Sequence, residues 1–295
     1  INSRRFGMSL GIDLSPANKQ CNFDCLYCEL APAAAVAKQS DSIGVDKIIL
    51  ELKKHLSDKV DVITLTANGE PTLYPYLDEL IDEIDQIKGA TQTLILTNSA
   101  MLTNEKVYNS LLKLDQVKLS LDAVTPEVFK KIDRPHHDIN VEDIVSKVQQ
   151  FSKEYSGKLF IEILFVHGLN DTKEEVQKLN DALLRIDATR IDLGTIDRPP
   201  AYPVSGISYK ELYEISKLFD THLHAEANNS SYTNEEIINT LDKRPLTLQD
   251  IELLFDEESK KRLLQLIENK EIVVKQLDNL EFFIPYQNIQ RKKSK

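Results

Sequence analysis

The sequence is poor in cysteine and methionine and contains no tryptophan. All three cysteines fall between residues 21 and 28, so a disulfide framework cannot hold the rest of the chain together. Long apolar runs are also missing, because no segment approaches the roughly 18 consecutive apolar residues of a membrane span. We therefore expect a protein that has no membrane partner and works in the cytoplasm, where thiols stay reduced.

Positive charge is also scarce. The chain has 36 Lys and Arg residues against 47 Asp and Glu residues, which gives a formal net charge of -11. Contacts to phosphate groups need basic side chains, so this balance argues against a dedicated nucleic-acid-binding protein. With 295 residues, of which 41% are hydrophobic, the chain is long enough for one α/β barrel and an appendage.

Short β-branched runs alternate with amphipathic helical stretches from Gly11 to about Ala225. This alternation is typical of repeated βα units with a parallel sheet. Six units are too few to close an eight-stranded barrel, so the sequence predicts an open, partial (βα)6 TIM-like barrel. The predicted strands are 10–14, 60–66, 93–97, 116–122, 159–166 and 190–195. The predicted helices are 45–57, 74–87, 103–113, 125–132, 141–155, 172–186 and 208–219.

The pattern changes after the polar stretch 228–231. Helical periodicity recurs three times, and two short apolar runs flank a turn signal, which together predict a small α+β winged-helix-like module. The predicted domains are therefore a barrel over 1–228 and this module, with a basic tail, over 229–295. A packing or dimerisation role and a nucleic-acid-binding role are both open for the module. Its predicted elements are helices 234–241, 247–254 and 259–269 and strands 272–277 and 282–285.

The cysteines follow the first predicted strand with Cys-x3-Cys-x2-Cys spacing, as Cys21, Cys25 and Cys28. Soft sulfur ligands select zinc, copper(I) or iron–sulfur clusters. A structural zinc site normally needs four ligands, and the nearest histidine, His55, is far away in sequence. Three thiolates on a cubane cluster leave one iron open to a small-molecule ligand, and we favour this interpretation. Zinc with a distant histidine and three unligated cysteines are the alternatives.

The cysteine spacing after the first strand of a βα array resembles the radical S-adenosylmethionine (radical SAM) superfamily. The resemblance implies that Cys21, Cys25 and Cys28 hold a [4Fe-4S] cluster whose open iron binds S-adenosyl-L-methionine. It implies reductive cleavage of that molecule to a 5′-deoxyadenosyl radical, which abstracts hydrogen from a substrate. It also implies that Tyr27 lies against the adenine, although Tyr27 could instead pack on its own turn.

A second part of the resemblance follows the second predicted strand. Asn68, Gly69 and Glu70 are similar to the Gly-Gly-Glu motif of the superfamily, with Asn68 in place of the first glycine. That motif binds the methionine amino group, and a glutamate is a suitable acceptor for an ammonium group. The alternative is an ordinary turn, but the carboxyl end of a barrel strand is where barrel active sites gather.

Two further strand ends carry small polar side chains that resemble cofactor contacts. Thr97 and Asn98 end the third strand, and Ser120 and Asp122 lie two residues apart on the fourth. Residues two apart on a strand point to one face. The resemblance implies contacts with the ribose and carboxylate of the cofactor, against the alternative of solvated strand ends.

Two loops after the last strands are less specific. Arg198 precedes two prolines, and its fixed charge could bind a carboxylate or phosphate of the substrate or form a surface salt bridge. Asn170 and Asp171 follow the fifth strand and precede a helical stretch, so they could belong to the site or form a helix N-cap, and the N-cap is favoured.

The chain is similar to the branch of the superfamily that contains wyosine-forming tRNA enzymes (4-demethylwyosine synthase-like). The likeness lies in the combination of segments 3–7, 10–13, 69–72, 120–123, 168–171 and 198–201. The resemblance implies a tRNA nucleoside as substrate and a flavodoxin or ferredoxin as low-potential electron donor. Those enzymes carry a second cluster, whose cysteines this chain lacks. Radical chemistry on a small metabolite or a protein side chain, and a cluster-based redox-sensing regulator, are the alternatives.

Overall fold

The computed structural model describes residues 2–3, 7–15, 18–196, 198–219, 231–243, 246–247, 251, 255–277 and 280–286. The predicted domain boundary at 228, most of the predicted helix 247–254 and the basic tail lie outside these residues, as do residues 4–6 of the N-terminal motif. In the part of the chain described, no helix is long and apolar enough to cross a membrane.

The main sheet has six parallel strands in the order in which the chain supplies them, and the partial barrel is confirmed. A two-residue strand, β1 (Asn2–Ser3), pairs antiparallel with the first of them. Consecutive strands pair, and β2 and β7 stand at opposite ends of the six, so the parallel strands form an open array. The strands are β2 (Gly7–Asp13), β3 (Val62–Thr66), β4 (Gln92–Thr97), β5 (Gln116–Ser120), β6 (Lys158–Phe165) and β7 (Arg190–Thr195).

Helices link these strands and cover their outer face. They are α1 (Val45–His55), α2 (Leu77–Ile87), α3 (Glu105–Leu111), α4 (Pro126–Ile132), α5 (Val141–Glu154), α6 (Lys173–Leu183) and α7 (Tyr209–Ser216), with 3-10 turns at Pro71–Leu73 and Ala100–Thr103. The side chains of Asn104, Asn140, Thr172 and Ser208 cap four of the helices by accepting backbone N–H groups. The predicted cap at Asn170 and Asp171 is therefore wrong, because Thr172 caps α6.

Side chains alternate along the strands, so each strand has one face toward the helices and one toward the barrel interior. Ile63, Ile95, Val117 and Ile161 are fully buried in the core beneath the helices. The opposite face is polar around Lys118, whose ammonium group pairs with Glu162 on β6 and lies 3.7 Å from Asp192 on β7. The apolar pattern of each strand thus fixes which residues line the interior.

The C-terminal elements form a second, smaller hydrophobic cluster, which shares no residue with the barrel core. A three-stranded antiparallel sheet has the order β8-β10-β9. The predicted hairpin and two of the predicted helices are present, whereas the winged-helix assignment and the domain boundary stay predictions. The elements are α8 (Asn234–Lys243), β8 (Leu246–Thr247), α9 (Glu257–Glu268), β9 (Ile272–Leu277) and β10 (Leu280–Pro285).

Candidate functional site

The cysteine loop begins after β2 and is held on one side by the loop that follows β3. The backbone N–H of Gln20 donates to the Asn68 carbonyl at 3.0 Å, and the N–H of Glu70 donates to the Gln20 carbonyl at 2.9 Å. Gly69 lies between these bonds with φ +139, and a Cβ atom there would collide with the Gln20 carbonyl. Glycine at this position therefore allows the two loops to approach each other.

The segment after α4 holds the other side of the same loop. Backbone hydrogen bonds join Asp24 N to Asp133 O at 3.1 Å, Leu26 N to Ile132 O at 2.8 Å, and His136 N to Asn22 O at 2.8 Å. The cysteine loop thus lies between two segments that are far from each other in sequence. Its conformation is set by tertiary contacts as well as by its own turns.

The three cysteines are free and half-buried. Burial, followed by the nearby Glu70 carboxylate, raises the pKa of Cys21 to about 12. Burial also raises the pKa of Cys25 well above its usual range. Both thiols are therefore protonated at neutral pH without a metal, and binding of iron would release their protons.

Polar hydrogens already surround the Cys21 sulfur. The backbone N–H of Phe23 donates to Cys21 Sγ at 3.4 Å, and Asn98 Nδ2 lies 3.7 Å from the same atom. The amide nitrogen of Asn22 is buried without a hydrogen-bond partner beside this loop. Three thiols on one constrained loop, with N–H donors at a sulfur, fit an iron–sulfur cluster.

Glu70 is buried and its carboxylate accepts four hydrogen bonds. Oε1 accepts from the backbone N–H of Thr72 at 3.0 Å and from the hydroxyls of Thr72 and Thr97 at 2.5 Å, while Oε2 accepts from Asn98 N at 2.9 Å. Burial raises the pKa of Glu70 despite these bonds. The structure places Thr97 behind Glu70, as a residue that orients the carboxylate.

Tyr27 reaches across to the loops after β5. Its hydroxyl donates to Asp122 Oδ2, and Asp122 Oδ1 accepts the backbone N–H of Leu164 at 2.7 Å. Burial raises the pKa of both Asp122 and Asp133. Asp133 Oδ1 also accepts a hydrogen bond from Cys25 Sγ at 3.4 Å. A cavity of about 40 Å³ lies here, and its lining includes four of the predicted cofactor residues: Tyr27, Asn98, Ser120 and Asp122.

Arg198 lies at the rim of the site. Its guanidinium pairs with Glu29, the residue after Cys28, and both side chains are about half exposed. The neighbouring Ala201 donates its backbone N–H to the Cys28 carbonyl at 2.8 Å, which ties this segment to the cysteine loop. The predicted surface salt bridge is present, and it stands next to the predicted cluster site.

Several residues of the site were missed by sequence reasoning. Asp24 lies between two of the cysteines and accepts Lys19 Nζ at 3.1 Å and the Tyr202 hydroxyl at 2.5 Å. Burial alone would raise its pKa, but these two hydrogen bonds lower it. Asn170 is fully buried and donates from Nδ2 to the carbonyls of Asp122 and Leu164, both at 2.8 Å. Its position before a helical stretch was compatible with a cap or with a role in the site, and no sequence signal separated the two.

Among the described residues, His136, His137 and Asp138 form a group whose potential ligand atoms lie within 4.8 Å of one another. His137 and Asp138 are exposed, and the three residues are adjacent in sequence. Exposed groups of this kind are common in proteins without a metal ion, so we assign no metal site to these three residues.

The comparisons with known proteins agree with this site. Residues 17–181 match the Radical SAM superfamily. A UPF0026 protein of Helicobacter pylori (strain J99 / ATCC 700824) is 37% identical over 296 residues, which are 96% of this chain and 96% of that protein. The chain therefore belongs to the radical SAM superfamily and, within it, to the same family as that UPF0026 protein.

Two solved structures share the fold. Streptococcus suis SuiB, solved with S-adenosylmethionine bound, matches with a TM-score of 0.54 and 17% identity over 72% of this chain and 43% of that chain. TYW1, solved with a lysine-pyruvate adduct, matches with a TM-score of 0.51 and 16% identity over 92% of this chain and 79% of that chain. At these identities the likeness shows the fold.

Membership of the superfamily makes the chain an enzyme whose cofactors are a [4Fe-4S] cluster and S-adenosyl-L-methionine. Enzymes of this class generally need a reductant to deliver an electron to the cluster. The family match begins before Cys21 and ends within α6, so it includes every predicted cluster ligand and cofactor residue, whereas Arg198, the possible substrate residue, lies beyond it.

Proposed function

We propose that the chain holds its cluster through Cys21, Cys25 and Cys28 and abstracts a hydrogen atom from a nucleoside in tRNA. The bound cofactors supply the chemistry, which is reductive cleavage of S-adenosylmethionine to a 5′-deoxyadenosyl radical. The observation that carries this proposal is the meeting of the cysteine loop with the loops after β3, β4 and β5 at one end of the sheet. In parallel sheets that end is where active sites form.

The residues beside the cysteine loop have distinct roles in this proposal. Asn68 and Gly69 present backbone groups close to the loop, and Glu70 supplies a buried carboxylate for the ammonium group of the cofactor. Thr97 orients Glu70 by donating its hydroxyl. A carboxylate held by fixed donors is pre-organised, so binding costs it little reorganisation.

The remaining cofactor residues line the cavity between the cysteine loop and the sheet. Tyr27 is fixed by its hydrogen bond to Asp122, which gives its ring a defined position for contact with the adenine. Asn98 and Ser120 present polar groups to the same cavity and suit the ribose and carboxylate. Arg198 lies at the rim of the site. Its guanidinium would contact a phosphate or carboxylate of the substrate after its ion pair with Glu29 breaks.

The choice of a tRNA nucleoside is supported by two observations. The segments that resemble wyosine-forming tRNA enzymes extend from the N-terminus to Ala201, and the fold likeness to TYW1 extends over 92% of this chain. The C-terminal module, proposed to cover 229–295 beside a barrel of 1–228, would help to dock the RNA. A flavodoxin or ferredoxin is the proposed electron donor, and a cytoplasmic location belongs to the same proposal.

A small metabolite or a protein side chain is the second candidate substrate. The net charge of -11 favours it, because an RNA would have to approach an acidic protein. The charged interior around Lys118, Glu162 and Asp192 also suits a small polar ligand. A redox-sensing regulator is disfavoured, because it would leave the buried Glu70 and the cavity beside Tyr27 without a role.

The first experiment tests the reaction class. We expect the chain, reconstituted anaerobically with iron and sulfide and reduced with dithionite, to form 5′-deoxyadenosine from S-adenosylmethionine. A Cys25→Ala variant should lose this product, because only two of the proposed thiolate ligands would be left. Product in the variant at the parent's rate would show that Cys25 is not a ligand.

The second experiment tests the substrate. Unmodified tRNA transcripts, a peptide pool and a small-metabolite extract are added separately, and 5′-deoxyadenosine formation is followed by chromatography. The proposal expects tRNA to stimulate the rate and to gain a new nucleoside on digestion. Stimulation by the metabolite extract or the peptides, with tRNA inert, would select the second candidate.

A further inference from the structure

The side chain of Asn98 has a defined orientation beside Cys21. Its Oδ1 accepts the backbone N–H of Ala100 at 3.2 Å, which identifies the opposite end of the amide as the nitrogen. That nitrogen donates to Asn22 Oδ1 at 2.6 Å and lies 3.7 Å from Cys21 Sγ. One amide N–H is thus used by Asn22, and the other faces the sulfur.

The orientation of Asn98 fixes that of Asn22. Because Asn98 presents a donor, the atom of Asn22 that meets it must be the oxygen, and this oxygen lies 4.0 Å from Cys21 Sγ. The Nδ2 atom of Asn22 is then buried without a partner, in a side chain only 1% exposed. A buried amide that leaves two N–H groups unpaired is costly, so its retention needs a reason.

We propose that Asn22 and Asn98 form a pair of hydrogen-bond donors to the sulfurs of the cluster site, with Asn98 directed at Cys21 Sγ and the unpaired Asn22 Nδ2 at cluster sulfur. The inference rests on the proposed ligand set Cys21, Cys25 and Cys28. A sulfur that binds iron is an anionic acceptor, so the loaded site supplies the partner that Asn22 lacks. The function of the pair is to set the reduction potential of the cluster.

The direction of this effect follows from charge. An N–H group directed at a ligand sulfur stabilises the more negative, reduced state of a cluster, and hydrogen bonds to sulfur are among the factors that set cluster potentials. Removing the donor should therefore make the cluster harder to reduce. A residue with only a packing role would not change the potential in this way.

The test is a redox titration of the loaded protein, followed by electron paramagnetic resonance. In Asn22→Leu the branched shape is kept and both N–H donors are lost, so the midpoint potential should shift to more negative values. The control is Asn140→Leu, the same substitution at the exposed N-cap of α5, which should leave the potential unchanged. An unshifted potential in Asn22→Leu, or an equal shift in Asn140→Leu, would overturn the inference.

A second measurement needs no variant that could fail to load. The parent chain is labelled with ¹⁵N at the asparagine side-chain amide and reconstituted, and the reduced cluster is examined by pulsed electron paramagnetic resonance. Hyperfine coupling to the labelled nitrogen is the expected result. A loaded cluster with no such coupling would overturn the inference while leaving the ligand set intact, whereas a parent chain that binds no cluster would overturn both.

Discussion

Gly69 is the residue at which the cysteine loop and the loop after β3 come closest. Its positive φ and the nearby Gln20 carbonyl both exclude a side chain. The cost of alanine there has two parts, backbone strain of about 1–2 kcal/mol and displacement of the cysteine loop. The second part is the one that affects metal binding.

We therefore expect Gly69→Ala to bind iron about tenfold more weakly after anaerobic reconstitution, since supports of a metal site act at that scale. The matched control is Gly89→Ala, because Gly89 also has a positive φ but has no atom within 4 Å of an added Cβ. Iron and sulfide per chain are measured in both variants. Equal loading of Gly69→Ala and Gly89→Ala would show that the close contact with Gln20 does not matter.

For single residues, the sequence indicated the cluster ligands better than the side chains that form hydrogen bonds around them. Cys21, Cys25 and Cys28 stand out because their spacing is chemically specific. Asp24 and Asn22 do not, because an aspartate or asparagine in a loop is most often a turn residue. Their roles depend on partners such as Tyr202 and Asn98, which are distant in sequence, and no local pattern indicates such contacts.

At the scale of elements, Asp115 links the end of α2 to β4 and β5. Its carboxylate accepts Lys88 Nζ at 2.6 Å, Thr93 N at 2.8 Å and the Thr93 hydroxyl at 3.0 Å. Partial burial would by itself raise the pKa of Asp115, but these bonds hold it below its usual value. A carboxylate with a lowered pKa adds stability above its unfolded-state pKa, and that stability is lost as the pH falls through the folded-state pKa.

Asp115→Asn should lower the free energy of unfolding at pH 7 by about 1–2 kcal/mol, because charged hydrogen bonds become neutral. The variant should also lose less stability than the parent as the pH falls below about 4, because it has no carboxylate to protonate at this position. Urea unfolding at pH 7 and at acid pH measures both effects. The control is Asp85→Asn, which removes a more exposed partner of the same lysine and should change stability by less than about 1 kcal/mol. Parallel pH profiles for parent and Asp115→Asn would contradict the assignment.

The element order was predictable because strand and helix periods differ along most of the barrel. All six predicted parallel strands are present, with ends that shift by a few residues, as for β2, which begins at Gly7 and ends at Asp13. The cap of α6 was misplaced because Asn170, Asp171 and Thr172 are all suitable cap residues. In the structure the side-chain amide of Asn170 donates to the carbonyls of Asp122 and Leu164, and these tertiary contacts show that Asn170 is not the cap.

At the scale of the whole molecule, the barrel and the C-terminal elements have separate hydrophobic clusters. The barrel cluster runs from Ile12 to Phe219, and the smaller one runs from Tyr232 to Phe283. A unit with its own core can fold alone. The predicted boundary near residue 228 falls between the two clusters.

We expect a chain truncated after residue 228 to stay folded and to bind the cluster, with iron content per chain equal to that of the full chain. Circular dichroism and iron analysis provide the measurement. If tRNA stimulates the full chain but not the truncated one, the C-terminal module contributes to docking. A truncated chain that aggregates or fails to load iron would show that the two units depend on each other.

The double support of the cysteine loop has a consequence for biosynthesis. The ribosome makes Cys28 roughly a hundred residues before Ile132 and Asp133, the segment that holds the loop from its second side. A nascent chain therefore carries three unligated thiols while roughly half of the barrel is synthesised. Stable binding of the cluster would follow the emergence of α4, which ends at Ile132, less than halfway along the chain. Assembly factors would then act while the rest of the barrel is still being made, and thiols exposed to air before that point would be open to oxidation.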